Sequence, residues 1–237
     1  MKIKHFYVIL FFSCLLQVYV PGALGATLCA SNSTELQNHL NTAAGNAQND
    51  MIQVVQGTYS GSFYMDSNQG DNLSILGGYT SGCSTRVVDP ANTILDATGT
   101  GSRVLRIANH NSTGGDITVD GFTIQNGSAD KTDYDGDGAG LYLISRATSG
   151  TASGNIEVTN NIIKNNNAAY RGGGAFAKTE IILSGATAGT VTVTGNIVQE
   201  NTASGEPYAS GGGIYAVSYS NPGSSNHISI THNPIVA

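Results

Sequence analysis

Ile156-Glu-Val-Thr-Asn-Asn-Ile-Ile-Lys-Asn-Asn166 is the stretch on which the reading of this chain turns, because its pattern occurs three times and begins a fourth. An earlier copy is Ile117-Thr-Val-Asp-Gly-Phe-Thr-Ile-Gln-Asn-Gly127, and a later one is Val191-Thr-Val-Thr-Gly-Asn-Ile-Val-Gln-Glu-Asn201. The fourth, Ile228-Ser-Ile-Thr-His-Asn-Pro-Ile235, breaks off. Successive copies start 39, 35 and 37 residues apart, which gives a period of about 37 from residue 116 onward. Each full copy is followed by a second element: Gly138-Ala-Gly-Leu-Tyr-Leu143, Gly172-Gly-Gly-Ala-Phe-Ala177 and Gly211-Gly-Gly-Ile-Tyr-Ala216. A repeat of this length describes stacked units, each needing a neighbour to bury its apolar face.

The units read as strands. Apolar residues alternate at Ile117/Val119, Ile156/Val158, Val191/Val193 and Ile228/Ile230, the period of two that sends one face inward. A second strand centres on Ile124, Ile163, Val198 and Ile235. A third follows the glycines, with Leu141/Leu143, Ala175/Ala177 and Ile214/Ala216 in step. Asn and Gly stand between strands because both tolerate the left-handed backbone of a tight corner. Three strands per repeat with such corners predict an all-β chain, a right-handed parallel β-helix with rungs about 4.8 Å apart. A propeller blade would need four strands per unit, and leucine-rich repeats would need more Leu. Upstream, Ser33-Thr-Glu-Leu-Gln-Asn-His-Leu40 starts with a good N-cap residue, Ser33, and spaces Leu36 and Leu40 four apart. This predicts a short helix over 33–44 that caps the N-terminal end of the stack. Met51-Ile-Gln-Val-Val-Gln-Gly-Thr-Tyr59 would be the opening rung.

The branched-aliphatic strand ending in Asn, paired with Gly-Gly-Gly-Ile-Tyr215, resembles the pectin-lyase-like β-helix superfamily. More narrowly, it is similar to repeats of polymorphic outer-membrane proteins and other bacterial surface β-helix proteins, which carry Phe-x-x-Asn and Gly-Gly-Ala-Ile tetrapeptides. Here Phe122 stands four places before Asn126 and is the only Phe near the first motif. The likeness covers the last half of the chain and implies fold and surface display. Enzymes of the superfamily use grouped carboxylates with Arg, or paired Asp near a His. Asp116, Asp120, Arg103 and Arg106 are close in sequence, but Asp120 gives way to Thr159 and Thr194 in the next copies, and His110, His227 and His232 are scattered.

Composition agrees with an exported chain. Of 237 residues 11% are charged and 31 are Gly. Lys2 and Lys4, the apolar run Phe6 to Val20 and the small residues Ala23-Leu-Gly25 form a secretory leader over 1–25, leaving a single domain over 26–237. The apolar run is short for a membrane span, so no transmembrane span is expected once the leader is gone. Of ten basic residues the leader removes two, leaving eight against 16 acidic ones, a balance that disfavours nucleic acid and anionic membranes as partners. Cys14 leaves with the leader, and Cys29 and Cys83 remain to form one disulfide. A lipid-anchored Cys is the alternative, although Cys29 follows Leu28 rather than a small residue. The truncated fourth copy predicts that the chain is a fragment or a shortened product with further rungs in longer relatives.

Two polar or aromatic groupings are candidate sites. Asp133-Tyr-Asp-Gly-Asp-Gly138 places Asp133, Asp135 and Asp137 at the spacing of a calcium loop, with Ca²⁺ as the cofactor such a loop would take, but position twelve is Ile144. The competing reading is a solvated acidic corner. Tyr142, Phe176 and Tyr215 occupy one place in successive repeats and face outward by alternation. Such a ladder either contacts a glycan or stabilises the stack, and the second use is favoured. The expected function is therefore non-enzymatic: a secreted or outer-membrane surface protein for adhesion, with an extracellular glycan or a cell-surface protein as partner. A polysaccharide-active enzyme with its catalytic rungs beyond residue 237, and a pure scaffold, are the alternatives.

Overall fold

The computed structural model describes residues 25–111, 113–132, 136–150, 152–183, 186–205, 209–220 and 227–236. The expected leader apart from Gly25, and both Asp133 and Asp135, lie outside the described residues. The described chain is all-β in character, built of parallel sheets, with an α-helix at Ser33–Ala43.

Successive repeats place their strands beside one another in the same three sheets. A seven-stranded sheet runs Thr27–Ala30, Asp50–Val55, Leu73–Tyr79, Ile117–Asp120, Ile156–Thr159, Val191–Thr194 and Ile228–Thr231. A six-stranded sheet takes the second strand of each repeat, from Gly57–Ser60 to Ile235–Val236. A five-stranded sheet holds Phe63–Ser67, Leu105–Asn111, Leu141–Ala147, Ala175–Ile181 and Ile214–Tyr219. The repeats align residue on residue: Ile117, Ile156, Val191 and Ile228 form one row, and Ile124, Ile163, Val198 and Ile235 another. The rows from the three sheets meet in one apolar core. Complete burial of each Ile, Leu or Val contributes about 1.5–3 kcal/mol, so the alternation seen in the sequence is the main source of stability.

Polar ladders hold the corners. Asn161 Oδ1 accepts the Phe122 N–H at 2.9 Å, Asn196 Oδ1 that of Asn161 at 3.0 Å, and Asn233 Oδ1 that of Asn196 at 2.9 Å. Each Nδ2 returns a bond to a main-chain carbonyl one repeat back, as Asn196 Nδ2 does to Val158 O at 2.8 Å. Asn166 and Asn201 repeat the device at the next corner, where Asn126, Asn165 and Glu200 carry the left-handed backbone. A buried amide that uses both its ends leaves no polar group unpaired, and this is why Asn recurs there. After that corner each of three repeats adds a fourth short strand, Ser128–Ala129, Asn167–Ala168 and Thr202–Ala203, beyond the three expected. The left-handed residue turns the chain sharply, and the next residues extend along their neighbours before the glycines.

The helix buries Leu36, Leu40 and Ala43 against the first strands. Its N-cap is Asn32, one residue before Ser33: Asn32 Oδ1 accepts the Glu35 N–H at 2.9 Å, and Glu35 in turn accepts the Ser31 N–H at 2.8 Å. The reciprocal bonds favour Asn32, because they satisfy a donor on each side of the cap. Cys29 and Cys83 are joined in a disulfide, tying the first strand to the 3-10 turn Ser81–Cys83 across 54 residues of sequence. Closing such a loop is worth on the order of 4 kcal/mol on a chain-entropy argument. At the other end of the sheets Ile228, Ile230 and Ile235 are exposed.

Candidate functional site

The five-stranded sheet has two unlike faces. Its inner rows are Phe63, Leu105, Leu141, Ala175 and Ile214, then Met65, Ile107, Leu143, Ala177 and Ala216. One outer row reads Tyr64, Arg106, Tyr142, Phe176, Tyr215, and the next reads Asp66, Ala108, Ile144, Lys178, Val217. A third runs His110, Arg146, Glu180, Tyr219.

Tyr142, Phe176 and Tyr215 do face outward and form a stack, with ring centroids 5.3 and 5.7 Å apart and planes within 14° and 3° of parallel. The rings cover one another: Tyr142 is 8% and Phe176 4% exposed, and Tyr215 is half-buried. Stacked in this way the rings turn edges rather than open faces to solvent. Arginines close over it. Arg103 lies 4.8 Å from the Tyr142 ring centre, Arg106 5.6 Å from it, and Arg171 5.4 and 5.5 Å from Phe176 and Tyr215.

Asp137, the one acid of the candidate calcium loop among the described residues, is bound to Arg171. Its Oδ1 accepts the Arg171 N–H and Nε at 3.0 Å each, and its Oδ2 accepts Nη2 at 2.6 Å. That contact raises the Arg171 pKa above its ordinary value. Among the described residues no group of three or more His, Cys, Asp or Glu is placed to hold a metal ion. Nor does the fold unite the four residues that are close in sequence. Asp120 pairs with Arg86, Asp116 accepts the Asn155 N–H at 2.7 Å, Arg106 pairs with Asp66 at 2.5 Å, and Arg103 donates to the Asp137 carbonyl at 2.7 Å.

Residues the sequence reading passed over complete the face. Glu180 accepts from Arg146 Nε at 2.5 Å and from Lys178 Nζ at 2.9 Å. Burial alone would raise the Glu180 pKa, but the bonds from Lys178 and Arg146 outweigh it and hold the carboxyl below its usual range. His110 is pushed down by burial and then by the Arg146 charge, which favours its neutral form. Lys178 Nζ also lies 5.9 Å from the Tyr219 ring. Arg146, Glu180 and Tyr219 each stand five residues after an inward-facing residue of the third strand, an offset that alignment of the glycine motifs would have exposed. Between these side chains runs an open cleft of about 210 Å³ lined by Tyr142, Arg146, Arg171, Lys178, Tyr215 and Tyr219, among others. It is smaller than the roughly 300 Å³ that encloses a drug-sized ligand.

No protein-family model, curated protein or solved structure matches this chain. None of the described helices is long and apolar enough to cross a membrane.

Proposed function

We propose that this chain is a right-handed parallel β-helix, exported and displayed at or released from a cell surface, which acts by contact with a glycan rather than by catalysis. Four kinds of support bear on the architecture: the period of about 37 residues, the row-on-row register, the three parallel sheets around one core, and the near-universal right-handedness of parallel strand connections. The helix Ser33–Ala43, with Leu36 and Leu40 buried on the first strands, serves as the N-terminal lid. A disulfide that closes a long loop favours an oxidising compartment, in keeping with the leader pattern of residues 1–25. The resemblance to bacterial surface β-helix repeats points the same way.

The observation that carries the functional reading is the cleft on the outer face of the five-stranded sheet. Ring edges of Tyr142 and Phe176, the half-buried Tyr215 and the exposed Tyr219 line one groove across three repeats together with polar heads. Aromatic surface beside hydrogen-bonding groups is the chemistry that a sugar ring requires, since its C–H face is apolar and its rim polar. Screening the purified chain against immobilised oligosaccharides tests this. A defined subset should bind, and Tyr219→Ala should weaken that binding at least tenfold while leaving the melting temperature within a few degrees. Retention of no glycan, or undiminished binding by Tyr219→Ala, would overturn the reading.

A further inference from the structure

Basic residues are scarce in this chain and unevenly placed. Of the eight outside the leader, five lie on or against one face: Arg103, Arg106, Arg146, Arg171 and Lys178. Against them stand three acids among the described residues, Asp66, Asp137 and Glu180, out of 16 in the whole chain. In a chain of formal net charge −6 this face gathers basic side chains, of which Arg103 and Arg106 are buried while Arg146, Arg171 and Lys178 reach solvent. Fields of this kind concentrate ions of opposite sign, most effectively in a groove with low-dielectric walls, which the aromatic stack supplies.

The pairing pattern locates the surplus. Arg106 has Asp66, and Arg171 has both oxygens of Asp137. Arg146 and Lys178 share a single carboxylate, Glu180. Glu180 takes the Arg146 Nε and one Lys178 proton, which leaves the guanidinium's outer nitrogens and two ammonium protons available. The side chains of Arg146 and Lys178 are 38% and 24% exposed, whereas that of Glu180 is 12% exposed and sits behind them. The same positive surplus helps to hold His110 neutral.

Resting on the reading of this face as a glycan surface, we propose that its ligand is an anionic saccharide, one bearing sulfate or carboxylate groups, with an anionic group seated between Arg146 and Lys178. A planar or tetrahedral oxyanion there accepts charge-assisted bonds from both cations, relieves their mutual repulsion, and leaves the attached sugar ring over Tyr215 and Tyr219. Neutral sugars would reach the rings but leave the donors of Arg146 and Lys178 that Glu180 does not take without an anionic partner.

Calorimetry on the whole chain, at low and at raised salt, tests the proposal with four probes: a sulfated glycosaminoglycan hexasaccharide, a uronate hexamer, a neutral glucan hexamer and a glutamate hexapeptide. At least one charged sugar should bind ten times or more tighter than the neutral one, and the difference should shrink as salt rises. Which charged sugar leads separates sulfate from carboxylate. Lys178→Gln and Arg146→Gln should each loosen the charged sugar about tenfold and leave neutral binding unchanged, and Lys164→Gln on the six-stranded sheet should do neither. Equal binding of neutral and charged sugars would overturn the proposal but leave the glycan reading standing. Failure of every sugar would overturn both. An equal loss from Lys164→Gln would reduce the effect to overall charge, and tight binding of the peptide would reassign the face to an acidic protein; either result overturns the proposal.

Discussion

The two faces of the five-stranded sheet share every backbone hydrogen bond and differ in what their side chains are asked to do. On the inner face each repeat offers the same kind of residue: Leu105, Leu141, Ala175 and Ile214 stand in one row, and Ile107, Leu143, Ala177 and Ala216 in another. On the outer face one row passes from Tyr64 through Arg106 to Tyr142, Phe176 and Tyr215, and the next from Asp66 to Ala108, Ile144, Lys178 and Val217. The inner rows are constrained by close packing, in which each side chain must fit the one above and below it. The outer rows need only be compatible with the strand, and so they are free to vary and to carry a binding surface. Repetition marks the part of the molecule that folds it, and the outer rows, relieved of that constraint, change in type from repeat to repeat.

Truncation on either side measures the difference. The largest effect should come from the inner face: Leu143→Ala removes a fully buried side chain from the centre of the core, and should cost about 2–5 kcal/mol in a denaturant titration. On the outer face Phe176→Leu keeps most of the apolar volume but breaks the stack between Tyr142 and Tyr215. The expected loss is about 0.5–1.5 kcal/mol, the range of an aromatic pair beyond its area. A Phe176→Leu loss as large as that of Leu143→Ala would erase the distinction between the faces.

That division also explains what could be read before any coordinates. The strand positions and the inward rows follow from alternation, a signal that every repeat reinforces, and the pairing of Cys29 with Cys83 was legible because the one other cysteine, Cys14, falls in the apolar run of the expected leader. That Asn belongs at the corners was legible because it recurs there, although Asn166 and Asn201 act through side-chain bonds and not through a left-handed backbone. The make-up of the outer face was not legible. Tyr142, Phe176 and Tyr215 stood out by repetition, yet their mutual burial depends on ring geometry that spacing does not contain. Arg146, Lys178 and Glu180 differ in type from repeat to repeat, so no periodic signal announced that stacking brings them together. The link from Asp137 to Arg171 crosses a repeat boundary, and the local run of acids suggested a loop of its own.

A smaller effect should appear in acid. The Glu180 carboxyl titrates below its ordinary value of 4.5 in the folded chain. It therefore binds a proton less readily folded than unfolded, and its contribution to stability is present above about 4.5 and is lost as pH falls through the lowered folded value. Glu180→Gln should flatten that part of the stability–pH curve while leaving the inner-face variants' losses unchanged. A wild-type acid limb preserved in Glu180→Gln would mean that the outer charges do not act as assigned.

The most direct test follows both faces at once by NMR, with labelled tyrosine rings and Ile and Leu methyl groups, during titration with whichever charged oligosaccharide binds. Resonances of Tyr215 and Tyr219 should shift in proportion to saturation, while those of the core residues Ile107, Leu141 and Leu143 should remain in place. Shifts centred on the core methyls, or on residues of the seven-stranded sheet such as Ile156 with Tyr215 and Tyr219 unmoved, would contradict the assignment of binding to this outer face.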